Sequence, residues 1–257
     1  MKYYIVNAFA AEPFRGNPAG VCVLDEWLPT DLMQKIAREN GLPETAFFLR
    51  DGRVDCLRWF TPLNEIDLCG HATLAAAYVV MEMIEPGASR VQFETVSGTL
   101  TVEKREHLYR MALPKRRPEK IRITDEVAKA MNVPIRELYS GRDLIAVLND
   151  EDAVLHYRPD YQKLSRLNGW LGIVITAKGN SADFVSRYLC PELREEDPVT
   201  GSSHCSLVPI WSEKLNKTEL VAEQLSERGG VLYCEQTQDK VMVAGEACLY
   251  LKGELII

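Results

Sequence analysis

The 257-residue chain lacks most of the marks by which a sequence announces its chemistry. It has no C-x-x-C pair, although seven cysteines stand at positions 22, 56, 69, 190, 205, 234 and 248. An odd number at irregular spacing argues against a disulfide framework and for free thiols in a reducing cytoplasm. There is no G-x-G-x-x-G and no P-loop, so the usual signs of nucleotide binding are missing. A G-x-S-x-G elbow is also absent, which leaves a serine hydrolase of that type without support. The longest apolar stretch, Leu74 to Met83, is too short to span a bilayer. The opening Lys2-Tyr3-Tyr4-Ile5-Val6 reads as a first strand rather than a leader. Positive charge is outnumbered: the net charge is −7, so nucleic acid is not an expected partner. The one basic cluster, Lys115-Arg116-Arg117 between Pro114 and Pro118, reads as a solvated linker.

What remains is an ordinary globular composition, 46% hydrophobic and 26% charged. The length suits one large domain or two of about 120 residues. Strands are expected at 2–8 and 20–24, separated by the turn-rich segment 12–18. Thr30 is placed to cap a helix running to Asn40. Strands follow at 45–49, 54–60 and 65–68, then a helix after His71 that ends near 85–87, then strands at 91–95, 99–104 and 109–113. Beyond the linker the pattern predicts helices at 124–131, 159–166 and 219–227. Strands are expected at 143–148, 172–177 and 182–186, and a closing meander at 230–235, 240–244 and 247–251. The division is 1–114 and 119–257, with the C-terminal strand able to return to the first half. The expected class is α/β (α+β).

Two stretches look like one device used twice. Cys69-Gly70-His71-Ala72-Thr73 runs into the apolar stretch from Leu74, and Thr200-Gly201-Ser202-Ser203-His204 runs into Cys205 to Leu215. In each, a glycine permits a tight turn and close approach of a ligand. The first helical N–H groups have no partner in the helix and carry partial positive charge, which suits a carboxylate. Two such starts can hold a small acid and stabilise a carbanion beside its carboxylate.

The chain resembles the PhzF-like (phenazine-biosynthesis) isomerase family. The residues that carry the resemblance are Phe14 to Val21, Leu42-Pro43-Glu44-Thr45-Ala46-Phe47, Asp67 to Thr73, Asp197 to Ser202 and Val243 to Ala247. Their order covers nearly the whole chain. The resemblance implies the diaminopimelate-epimerase-like fold: two similar halves, each a curved, barrel-like sheet around a central helix, with the active site in the cleft between them. It also implies a cofactor-free isomerase that moves a proton on a dihydro-hydroxyanthranilate ring, and a homodimer. By motif, the catalytic glutamate falls on Glu44 and the active-site histidine, aspartate and serine on His71, Asp197 and Ser202. The substrate-facing glycines fall on Gly70 and Gly201.

Each of these residues also has a plainer reading. A free glutamate titrates at about 4.3 and is a poor base for a carbon acid unless its surroundings raise it. Glu44 is otherwise a surface residue at a strand start. His71 is a structural hydrogen-bond partner unless Asp197 orients it. Asp197 suits an Asx-turn, Ser202 a helix cap, and Asn17 a turn before proline as well as a neighbour of the site. Cys69 stands where diaminopimelate epimerases carry a thiol base, and a thiol at a helix start can ionise early. The second epimerase cysteine has no counterpart, since Thr200 holds its place. The thiol is therefore either a second base beside Glu44, as in a racemase, or a small buried hydrophobe. No metal is expected: Cys69, His71, His204 and Cys205 have zinc-type side chains but match no standard zinc spacing. A binding or scaffold protein that keeps the pocket without turnover is the remaining alternative. The expected partner is a small carboxylate-bearing molecule, with neither nucleic acid nor membrane involved.

Overall fold

The computed structural model describes residues 1–50 and 55–257. Contacts divide the chain into two compact units, Met1–Ala112 with Val243–Ile257, and Leu113–Met242. Among the described residues no helix is long and apolar enough to cross a membrane.

The first unit runs through β1 (Lys2–Ala8), β2 (Asn17–Leu24), α1 (Thr30–Asn40), β3 (Glu44–Arg50), β4 (Asp55–Phe60), β5 (Glu65–Ile66), α2 (Gly70–Tyr78), β6 (Arg90–Thr95), β7 (Gly98–Arg105) and β8 (Leu108–Pro114). β1 is antiparallel to β2, β2 parallel to β3, β3 antiparallel to β4, β4 parallel to β6, and β6 antiparallel to β7. Parallel neighbours need a crossover, and α1 and α2 supply the two. α1 is amphipathic and lays Met33, Ile36 and Ala37 against Cys22, Leu24, Phe47 and Phe60. It stops at Gly41, whose left-handed φ of 62° lets its N–H reach Ala37 O. α2 is different. It is apolar all round, its first eight residues are buried, and it packs on β1, β2 and β3 as the centre of the unit. A π-type stretch, Val79–Ile84, continues it.

The second unit contains β9 (Glu119–Ile121), α3 (Asp125–Met131), β10 (Glu137–Ser140), β11 (Leu144–Val147), α4 (Glu151–Leu155), α5 (Tyr161–Leu164), β12 (Ile173–Lys178), β13 (Phe184–Cys190), β14 (Glu195–Asp197), α6 (His204–Leu215), β15 (Glu219–Gln224) and β16 (Gly230–Gln236). From β10 to β16 the pairings run antiparallel, parallel, antiparallel, parallel, antiparallel. That is the sequence of senses found from β1 to β7. The buried α6 takes the crossover that α2 takes in the first unit, entered through the 3-10 turn Gly201–Ser203. Each unit is thus a mixed sheet around one buried helix, and the architecture is α/β with few helices.

Several expectations need correction. Residues 219–227 are not a helix. Leu220, Ala222 and Gln224 alternate buried with half-exposed neighbours, and the strand β15 pairs with β13 and β16. The helix-forming composition of Glu219-Leu-Val-Ala-Glu-Gln yields to burial of one face in a sheet. Thr30 does not cap α1. Pro29 holds the cap position without a side-chain bond, and Thr30 Oγ1 accepts from Arg58 Nη2 at 3.1 Å. The basic linker is anchored rather than solvated: Lys115 Nζ donates to Thr237 O at 2.9 Å and the Arg116 N–H to Cys205 O at 3.0 Å. The closing meander is not continued past its second strand, although the Thr237 N–H donates to Lys240 O at 2.9 Å in the turn after β16. Only Glu246 separates β17 (Lys240–Gly245) from β18 (Ala247–Glu254), too little for a hairpin, and β18 lies antiparallel to β1. β2 starts at Asn17, inside the segment read as a turn. Position 54, the expected start of the fourth strand, lies outside the described residues.

Candidate active site

In the first unit the parallel pairing of β2 and β3 brings their N-terminal ends to one edge of the sheet. Ala19 is level with Glu44, and Asn17 lies two residues before it. The buried start of α2 comes to the same edge. Four residues singled out from the sequence meet there. His71 Nε2 lies 3.0 Å from Glu44 Oε2, an ion pair whose angle falls short of a hydrogen bond. On the other ring nitrogen, Asn17 Nδ2 stands 3.3 Å and Cys69 Sγ 3.5 Å from Nδ1. The His71 side chain is 7% exposed and that of Glu44 17%, so the carboxylate is the member of the pair that solvent or a ligand can reach.

The electrostatics follow from this packing. Burial by itself lowers the pKa of His71, but its two titratable neighbours, Cys69 and Glu44, outweigh it and raise His71 well above its ordinary 6.5. For Cys69 burial dominates, Glu44 adds to it, and the thiol is pushed up. Cys69 is therefore a neutral thiol at ordinary pH rather than an early-ionising one. Its backbone fixes that start: Cys69 O accepts from the Thr73 N–H at 3.1 Å and from Thr73 Oγ1 at 2.5 Å. No side chain caps the helix, so its first N–H donors are not taken by a cap.

Gly70 does not act as a turn glycine. It is not among the residues of positive φ, and neither is Gly201. A Cβ built on Gly70 would meet only Met111 Sδ, at 3.8 Å, an ordinary contact. Neither backbone conformation nor packing demands glycine there.

In the second unit Asp197 and Thr200 form one cluster. Thr200 Oγ1 donates to Asp197 Oδ2. Gln224, missed in the sequence, organises the loop: its Oε1 accepts from the Thr200 N–H at 2.9 Å, and its Nε2 donates to Asp197 O at 2.7 Å and to Thr200 Oγ1 at 3.2 Å. The available signal was a glutamine on the buried face of β15, hidden once that segment was read as helix. Gly201 and Ser202 form the 3-10 turn, with Gly201 buried and Ser202 half-buried. His204 is a structural histidine. Burial holds it down at about 4, and Nδ1–H donates to Thr200 O at 2.9 Å, so the ring is neutral.

Among the described residues, the group of ligand-type side chains that gathers is Glu44, Cys69 and His71, with atoms within 4.8 Å of one another. The side-chain types would suit zinc. His71, however, presents Nε2 to Glu44 and Nδ1 to Cys69, which makes a chain of contacts rather than three lone pairs aimed at one point. What the arrangement offers chemically is a partly accessible carboxylate backed by a buried imidazolium, beside uncapped N–H donors.

Comparison with known proteins places the chain in a family. The family model described as phenazine biosynthesis-like protein (PhzC-PhzF) matches residues 6–253. An uncharacterized isomerase of Pseudomonas aeruginosa is 43% identical over 257 residues, covering 99% of this chain and 98% of the relative. A phenazine biosynthesis PhzC/PhzF protein from Clostridium difficile is 53% identical with a TM-score of 0.97, covering 100% of both chains. A probable proline racemase from Agrobacterium radiobacter shares the fold alone, at 9% identity and a TM-score of 0.66 over 100% of this chain and 93% of the other. With the family model matched from residue 6 to residue 253, this chain belongs to the phenazine biosynthesis-like (PhzC/PhzF) family of isomerases.

Proposed function

We propose that this protein is a cofactor-independent isomerase that moves a proton on a small carboxylate-bearing substrate, with Glu44 as general acid and base. The observation that carries the reading is the half-buried Glu44 carboxylate held 3.0 Å from His71 at the mouth of an uncapped, buried helix. The C–H bond of the substrate breaks as an O–H bond forms on Glu44. The electron pair left on carbon spreads toward the substrate carboxylate or a conjugated double bond. Glu44 then returns the proton to another carbon of the same molecule. While Glu44 holds that proton its own charge is gone, and the His71 imidazolium is left to face the negative charge on the substrate. The N–H groups from Gly70 onward are the donors assigned to the carboxylate, with Asn17 beside them. In the second unit Gly201 and Ser202 take the substrate-binding role and Asp197 a proton-balancing one.

The racemase alternative assigns Cys69 as a second base. Its sulfur is occupied by His71 Nδ1 and its thiol is pushed up, which weighs against direct proton transfer from carbon. The product separates the two readings. A panel of cyclic and open-chain amino and hydroxy acids, including dihydro-hydroxyanthranilate, is incubated with the protein and followed by NMR and chiral chromatography. A constitutional isomer supports proton movement within the molecule. Inversion at one carbon with no other change supports the racemase and overturns the proposal. Seven free cysteines suit a reducing cytoplasm as the place of action, and a homodimer is the assembly we assign.

A further inference from the structure

Cys69 occupies the N-cap of α2, the position where serine, threonine, aspartate or asparagine ordinarily bonds the open N–H groups of a helix. It makes no capping bond. The Ala72 N–H lowers the thiol pKa, but less than His71 does. The sulfur lies instead 3.5 Å from His71 Nδ1. A residue that leaves its helix uncapped and turns to a neighbour has broken a local rule, and such breaks concentrate at working sites. We propose that Cys69 is a positioning residue that holds the His71 ring by Nδ1, with Nε2 on Glu44, in both protonation states of the ring.

The reason lies in the chemistry of the thiol. When Nδ1 carries a proton it needs an acceptor, and sulfur is a weak one. When Nδ1 is bare it needs a donor, and S–H is a weak one. A carboxylate in that place could only accept, and would hold the proton on Nδ1 in both states of the ring. Asn17 meets the same nitrogen at 3.3 Å, and its amide, turned over, likewise serves either state. The titratable groups that face the ring are Cys69 at the helix start and Glu44 from β3; with the thiol neutral, the Glu44 carboxylate is the charge that favours the protonated ring against its burial. A neutral, adaptable neighbour on Nδ1 therefore keeps that nitrogen partnered and the ring in place whether or not the ring is charged.

The inference rests on the assignment of Glu44 and His71 to one site, but its test needs no substrate, so it can fail while the proposed reaction stands, and the reverse. The protein is labelled with 15N in its four histidines, and the ring nitrogens are titrated by NMR in wild type, Cys69→Ala, Cys69→Ser and Cys69→Asp. In wild type, both His71 nitrogens are protonated at neutral pH. In Cys69→Ala the His71 midpoint falls by about one pH unit, since the charge-assisted bond from Nδ1–H to sulfur is stronger than the bond from S–H to the bare nitrogen. Serine, the preferred capping residue, turns to the helix and gives the same fall. Aspartate moves the midpoint up. The neutral His204 signal reports that the fold is intact. A His71 midpoint unchanged in Cys69→Ala, with His204 undisturbed, overturns the proposal. If the alanine variant does not fold, an unchanged midpoint in Cys69→Ser does so.

Discussion

Two histidines near two helix starts hold opposite charge states. His71 is raised because two groups that carry negative charge when ionised lie against its ring, and His204 is lowered because burial meets only one carbonyl. The signs of their pH effects are opposite too. The charged form of His71 stabilises the fold in full below its ordinary 6.5, and this is lost as pH rises through the raised value. His204 is favourable above 6.5, and its contribution is lost as pH falls toward about 4. The acid loss amounts to at most about 3 kcal/mol. Urea unfolding at pH 7 and pH 4.5 should show a drop that is smaller in His204→Asn, which keeps a donor for Thr200 O but cannot titrate. Equal drops in the two proteins would show that other groups cause the acid loss. Gly70 gives a second residue-scale prediction. Gly70→Ala should change stability by less than about 1 kcal/mol, because its Cβ meets nothing closer than 3.8 Å, yet it should raise KM tenfold or more once a substrate is in hand. Loss of stability without change in KM would make this glycine structural.

At the scale of elements, the two buried helices were legible because their runs of apolar residues stand directly after glycine-led turns. α3 was legible for a related reason: Thr124 stands before an acidic first turn, and its side chain accepts from the Val127 N–H. The 219–224 segment was not legible. Its residues favour helix, and only its pairing with β13 and β16 makes it a strand. That error also hid Gln224, whose three hydrogen bonds hold the loop from Asp197 to Thr200. Replacing it by leucine leaves the Thr200 N–H and Asp197 O without their partner in a buried place. We expect a loss of about 2–4 kcal/mol and faster hydrogen exchange at residues 199–204. Unchanged exchange there would mean that the loop is held by other contacts. In the first unit, Glu44, His71, Cys69 and Asn17 were each visible as motif residues. Which atoms they bring together was not visible, because it depends on β2 and β3 being parallel neighbours, a long-range pairing that local pattern does not encode.

At the scale of the whole molecule, the same order of strand senses occurs in both units, each with its buried helix in the second parallel crossover. The negative charge of the chain gives no pull toward polyanions, and it leaves binding of a small acid to local devices such as uncapped helix starts. The central claim is that Glu44 carries the proton. The most direct measurement is NMR in deuterated water on a panel of small carboxylates, with wild type and Glu44→Gln side by side. The account predicts that at least one compound exchanges or isomerises with wild type, and that Glu44→Gln slows this at least a thousandfold, on the order of removing a general base and its charge. Equal rates with the two proteins would contradict it.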